Sequence, residues 1–211
     1  RCGRVPGGGG KQVRDFITAV SESGRMPKIF YSMSGEGRGH ATRVRAMVEA
    51  LRAEFHPAPE LTLFAPHDAW RLLAPLYRGT PVRVVRIPGL QFHYTPRRRL
   101  DFLRTAREAI RYLSVSNRLI ESLRRRIERE RASLVITDFE PALPRAARRA
   151  GIPFLSLNHQ HFLVVSDLSA LPAALRRHAA YMSWVVRSYY RGQAATVVSS
   201  FYFPPLKPAW R

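Results

Sequence analysis

The segment Ser34-Gly-Glu-Gly-Arg-Gly-His40 concentrates more potential chemistry than any other stretch of this sequence. Gly35, Gly37 and Gly39 leave the backbone bare enough for a ligand to approach closely, and a helix starting here offers its first N–H groups to an anion. Glu36 and Arg38 alternate with the glycines and add one charge of each sign. The spacing is not that of a dinucleotide fingerprint, whose third glycine would fall at residue 40. It is not a P-loop either, since no Gly-Lys-Ser/Thr follows. A strand-to-helix turn that needs positive φ is the structural alternative. His40 closes the segment, and an imidazole at the start of a helix can accept a proton near pH 7. Its alternative is a bond to a nearby backbone group.

Asp138 and Glu140 lie in Thr137-Asp-Phe-Glu-Pro141. A carboxylate at residue 138 can fix the tautomer of an imidazole and steady the imidazolium that forms, or it can serve as a turn or N-cap residue ahead of Pro141. Glu140 fits a bond to a sugar hydroxyl as well as a solvent-facing first helical turn. His159 and His161, in Asn158-His-Gln-His161, share one face of an extended segment. They lack a third ligand, and the chain has no Asp-x-Asp pair, so contact with substrate or a polar loop is expected, with no metal and no cofactor.

These residues need elements to hold them. Lys28–Met33 is a short apolar run suited to a buried strand, and Ala41, Val44, Met47, Val48 and Leu51 recur after it at helical spacing. Further strands are expected at 61–65, 82–87, 134–137, 152–157 and 195–199. Helices are expected at 70–76, 101–131, 142–150 and 172–191, the last two closed by Gly151 and Gly192. In the long helix Leu103, Ala106, Ile110, Leu113, Asn117, Ile120 and Ile127 form one candidate core seam. Arg104, Arg107, Arg111, Arg118 and Arg125 form a basic stripe beside it, preceded by a loop holding Phe92, Tyr94 and Arg97 to Arg99. Strands alternating with helices predict an α/β fold, a Rossmann-like parallel sheet with helices on both faces. Ligands of such sheets bind beyond the carboxyl ends of the strands, where the loops 34–40, 138–141 and 158–161 converge. Residues 1–27 read as a flexible tail with a short amphipathic helix around Val13, Phe16, Ile17 and Val20. Residues 28–200 read as the domain, and the proline-rich 201–211 as a linker leading onward. The chain opens on Arg1, and Met26, just before the first strand, is a candidate natural start.

The whole chain has 211 residues with 45% hydrophobic content, enough for one real core. A single cysteine, Cys2, excludes a disulfide framework and a cysteine-rich zinc site. No apolar run approaches the ~20 residues that span a bilayer, and no signal-peptide core is present, so a cytoplasmic location is expected. Lys+Arg number 35 against 15 Asp+Glu, a net charge of +20 carried almost wholly by arginine. Arginine-rich coding explains that charge as well as an anionic partner does: nucleic acid, a phospholipid surface or a phosphorylated substrate. No zinc-finger, RRM or KH signature supports nucleic acid.

Lys28-Ile-Phe-Tyr-Ser-Met-Ser-Gly-Glu-Gly-Arg-Gly-His-Ala-Thr-Arg43 resembles the opening of the GT-B glycosyltransferases. It is most similar to the branch related to the lipid-II-forming N-acetylglucosaminyltransferase and to teichoic-acid-biosynthesis-like transferases. Leu134–Pro141 and Gly151–His161 resemble later segments of the same branch. The resemblance covers residues 27–205. It implies that residues 28–200 are the acceptor-binding half of a GT-B fold, and that 201–211 leads to a donor-binding domain outside this chain. It further implies an inverting, metal-independent transfer from a nucleotide-sugar to a sugar or lipid-linked, cell-envelope acceptor. His40 would be the base and Asp138 its orienting carboxylate. Gly35, Glu36, Gly37, Arg38, Gly39, Glu140, His159 and His161 would line the substrate. Peripheral attachment to the inner face of a membrane would fit the basic stripe. Without the second domain the chain alone is expected to be inactive. The competing expectation is a basic module that docks on anionic membrane or nucleic acid. A Rossmann oxidoreductase fails at residue 40, where the third glycine is missing.

Overall fold

The computed structural model describes residues 17–18, 27–91, 93, 101–200 and 204–210. Its strands are β1 (Lys28–Met33), β2 (Glu60–Ala65), β3 (Arg83–Arg86), β4 (Leu134–Asp138), β5 (Phe154–Asn158) and β6 (Ala195–Val198). Its helices are α1 (Gly37–Glu54), α2 (His67–Leu76), α3 (Phe102–Glu130), α4 (Ala142–Arg149), α5 (Phe162–Val165) and α6 (Ala173–Tyr189). All neighbouring strands run parallel, in the order β3-β2-β1-β4-β5-β6. This is the Rossmann order, and it reverses between β1 and β4.

Side chains alternate across the sheet, so each strand feeds two cores. Ile29, Tyr31 and Met33 of β1 pack with Val44, Val48 and Leu51 of α1 and Leu73 of α2. Phe30 joins Phe64, Val135 and Phe154 under α3, α4 and α6, with Ile120, Leu123 and Ile127 supplied by α3. Helices cover both faces, which explains why the strands read as unbroken apolar runs rather than alternating ones.

Several expectations are corrected. The proposed seam of α3 is buried only at Ile120 and Ile127, while Leu103, Ala106, Ile110, Leu113 and Asn117 are exposed. At 100° per residue, steps of three, four and seven residues drift backward around a straight helix, by about 120° between residues 103 and 127. The seam therefore leaves the core, and Tyr112 and Ser116 occupy the buried face instead. Ile17, assigned to the tail, is buried in the first core. Residues 1–16 and 19–26 of that tail, the aromatic and arginine residues Phe92, Tyr94 and Arg97 to Arg99, and residues 201–203 lie outside the described residues. Within the expected linker, Leu206 forms an antiparallel bridge with Ser166, and the Lys207 N–H donates to the Val165 carbonyl at 2.9 Å, so this segment folds back onto α5. The helix α5, absent from the sequence reading, is too short to show a periodicity of its own.

Candidate active site

The site sits where the strand order reverses. Register pairs Met33 with Asp138 across β1 and β4, and the Ser34 N–H donates to the Asp138 carbonyl at 2.8 Å, carrying the pairing one step past the strand. The start of the glycine segment and the end of β4 are thereby joined. Phe139, immediately after Asp138, has φ of 57°. A bulky residue pays a strain of roughly 1–2 kcal/mol in that left-handed region. The turn sends Asp138 toward α1 and Glu140 toward the start of α4.

Asp138 has no exposed side-chain surface and is shared by two partners from one helix. His40 Nδ1 lies 2.9 Å from Asp138 Oδ1, and Arg43 Nη1 donates to Asp138 Oδ2 at 2.6 Å. Residues 40 and 43 are one turn apart, so both face the same way. With Nδ1–H donated to the carboxylate, Nε2 is the acceptor nitrogen, and it makes no hydrogen bond among the described residues. The Phe139 ring stacks near-parallel to the imidazole, centroids 6.4 Å apart, and packs on Tyr189 from its other surroundings at 5.5 Å.

The glycine segment works differently from a positive-φ turn. The described glycines with positive φ are Gly79, Gly151 and Gly192. Gly35 is instead a close-approach residue: a Cβ there would stand 2.9 Å from both the Pro66 ring and the Pro66 carbonyl. Glu36 holds the N-cap of α1, and Gly37, Arg38 and Gly39 form its first turn. A Cβ added to Gly39 would meet nothing within 4 Å, so the helix start is open on that side. The first N–H groups of a helix have no intrahelical partner, which makes this opening suitable for an anionic group. A shallow recess of about 10 Å³, no larger than one water needs, adjoins it, lined by Ser34, Gly35, Pro66, Gly89, Leu90 and Phe139 among others.

The remaining candidates are held elsewhere. Glu140 is buried, with its carboxylate accepting from the N–H groups of Ala142 at 2.7 Å and Leu143 at 2.9 Å. Burial raises its pKa. It caps α4 rather than presenting a solvent-facing carboxylate. His161 is 1% exposed and packs on Tyr190; its Nδ1 lies 3.0 Å from Ser156 Oγ, and burial pushes its pKa down to about 4. A ligand has no access to such a ring, so His161 organises the loop after β5. His159 is half-buried and bonds the Ser199 carbonyl through Nδ1 at 2.7 Å, tying β5 to the segment beyond β6. Arg38 is exposed at the open helix start. Among the described residues no group of three or more His, Cys, Asp or Glu could hold a metal ion. Arg43 and Phe139 were missed by sequence reasoning. The i+3 spacing from His40 was available as a signal for Arg43, whereas nothing local marks Phe139 for the left-handed region.

Residues 27–210 match glycosyl transferase family 1. Among curated proteins none matches the chain by sequence. Solved structures similar to this chain include MurG of Acinetobacter baumannii, with 15% identity over 84% of this chain and 47% of that one and a TM-score of 0.48. LpCGTa in complex with UDP shares 19% identity over 66% of this chain and 32% of its own, with a TM-score of 0.46. Phytolacca americana UGT2 complexed with UDP-2fluoro-glucose and pterostilbene shares 18% over 86% and 40%, with a TM-score of 0.44. The chain spans less than half the length of each.

Proposed function

Because this chain belongs to glycosyl transferase family 1, we propose that it is the acceptor-binding half of an inverting, metal-independent glycosyltransferase of the two-domain GT-B type. The donor is a nucleotide-sugar, held mainly by a second domain. The acceptor is a hydroxyl on a sugar or on a lipid-linked, cell-envelope carrier. The observation that carries this reading is the 2.9 Å contact between His40 Nδ1 and the buried Asp138 carboxylate, which leaves Nε2 as the only basic nitrogen of the ring.

His40 Nε2 takes the acceptor hydroxyl proton while that oxygen attacks the anomeric carbon. The bond from this carbon to the nucleotide diphosphate breaks, and its electron pair leaves with the diphosphate. Attack opposite the leaving group inverts the anomeric centre. Asp138 holds Nδ1–H throughout and stabilises the imidazolium that forms. The open N–H groups at the start of α1 suit an anionic part of either substrate. Turnover of the full enzyme after His40→Ala tests the assignment. A loss of about 10²–10⁴-fold is expected for removal of a general base, and near-normal turnover would overturn it.

An anionic membrane as docking partner is favoured by one further observation. On the first half of α3 the exposed residues Leu103, Ile110 and Leu113 lie beside the exposed Arg104, Arg107, Arg111 and Arg118. Apolar and basic strips side by side on one helix match the interface of an anionic bilayer. No described helix is long and apolar enough to cross a membrane, so attachment would be peripheral.

A further inference from the structure

We propose that Arg43 is a positioning residue of the dyad: it clamps the Asp138 carboxylate from the oxygen that His40 does not use, and supplies the countercharge that this buried carboxylate needs. The inference rests on His40 being the base.

A fully buried carboxylate needs a compensating charge as well as hydrogen bonds. His40 alone could supply that charge only by becoming an imidazolium, which has no lone pair left on Nε2 and cannot act as a base. Arg43 removes the conflict. Its guanidinium is permanently charged, it reaches Oδ2 at 2.6 Å, and it leaves Oδ1 to His40. The three side chains then sum to zero charge before proton transfer and to +1 after it. The carboxylate orients the ring without filling its reactive nitrogen. Because the two oxygens are bonded in different directions, the carboxylate cannot rotate away from Nδ1.

The other groups around the cluster do not supply the charge. Tyr31 of β1 and Tyr190, just after α6, feel the field of Asp138, and burial pushes both hydroxyls well up, so they stay neutral. Glu140 is bonded to the N–H groups at the start of α4. Phe139 covers the ring with an apolar face. Arg38, on the same helix, points to solvent. Arg43, only 24% exposed in its side chain, is the cation in contact with Asp138 among the described residues.

The test is an NMR titration of the His40 ring in the full chain, comparing the parent with Arg43→Met, Arg43→Lys and Asp138→Asn. Removing the cation in Arg43→Met should move the His40 titration midpoint upward by about one pH unit, the usual effect of an unscreened neighbouring carboxylate. Arg43→Lys should stay close to the parent. Asp138→Asn, which leaves Arg43 facing the ring without its carboxylate, should move the midpoint down. A midpoint unmoved or lowered in Arg43→Met with a native spectrum would overturn the proposal. Should Arg43→Met fail to fold, Arg43→Gln, which keeps a hydrogen-bond donor for Oδ2 without the charge, decides in its place: a midpoint no higher than the parent's would overturn the proposal. The titration does not depend on turnover, so it stands apart from the base assignment. An inactive His40→Ala with an unmoved Arg43→Met midpoint defeats only the Arg43 role. An active His40→Ala with the expected midpoints defeats only the base. Where both hold, the acidic limb of the rate–pH profile of the full enzyme moves upward with Arg43→Met, which a merely structural clip would not produce.

Discussion

His40 and Asp138 are 98 residues apart in sequence and 2.9 Å apart in space, and the carboxylate between His40 and Arg43 has no exposed surface. Asp138→Asn keeps the shape of that carboxylate but loses its charge, and an amide can present its NH₂ to Nδ1 and favour the wrong tautomer. Its turnover in the full enzyme should fall along with that of His40→Ala, which steady-state kinetics on the two variants will check. The second histidine of interest acts on stability. His161 has a folded-state pKa of about 4, below the ordinary histidine value, because burial disfavours its charge. The unfolded chain therefore binds the proton first as pH falls. The stability associated with a neutral His161 is whole above about pH 6.5 and is lost as pH drops toward 4, by up to about 3 kcal/mol. Denaturant unfolding at a series of pH values should show His161→Gln lacking this part of the slope. An identical slope in both proteins would contradict the burial argument.

At the scale of the element, each end of the site depends on how a helix begins. Glu140 accepts from two N–H groups at the start of α4 and lies 3.4 Å from the Tyr112 hydroxyl of α3. Glu140→Gln replaces one acceptor with a donor facing N–H groups, a buried mismatch worth roughly 1–3 kcal/mol. Chemical denaturation should register that loss. Helix α3 divides in two. Its second half is core on one side and laced with ion pairs on the other, Glu121 with Arg124 and Arg125, and Glu130 with Arg126 and Arg83. Its first half keeps Leu103, Ile110 and Leu113 in solvent at 77%, 68% and 62% exposure. Arg104 and Arg111 stand only near Asp101 and Glu108, at 3.8 and 3.9 Å, and Arg107 and Arg118 have no ion pair among the described residues. Each engaged arginine is worth about 1 kcal/mol at an anionic surface. Sedimentation with anionic vesicles should therefore capture the protein at low salt, less so at high salt, and less so for Ile110→Asp. Equal binding to neutral vesicles, or binding indifferent to salt, would rule out the anionic bilayer.

For the molecule as a whole, the sheet places the glycine segment and Asp138 at one switch point, and the function proposed above assigns the donor's contacts to a second domain. Calorimetry of this chain with nucleotide-sugars should then give an affinity no better than about millimolar, near −4 kcal/mol. Micromolar binding would overturn that division of labour. The parallel α/β architecture was legible in sequence because local signals repeat: apolar runs at 28–33, 61–65 and 134–137, helical periodicity between them, and Gly151 at a helix end with φ of 69°. His40 and Asp138 stood out for the same reason, each closing a short motif at a strand's carboxyl end. What their residues could not reveal locally was distance. The β1–β4 pairing that joins them is a long-range choice of topology, and Arg43 gains its partner only through it. Burial was equally out of reach. Glu140 and His161 have the composition of substrate-binding residues, yet neighbours distant in sequence bury both. The apolar spacing of α3 read as core because helical periodicity reports that a stripe exists. Only the sheet and the helices around it decide which part of that stripe is covered and which part meets solvent.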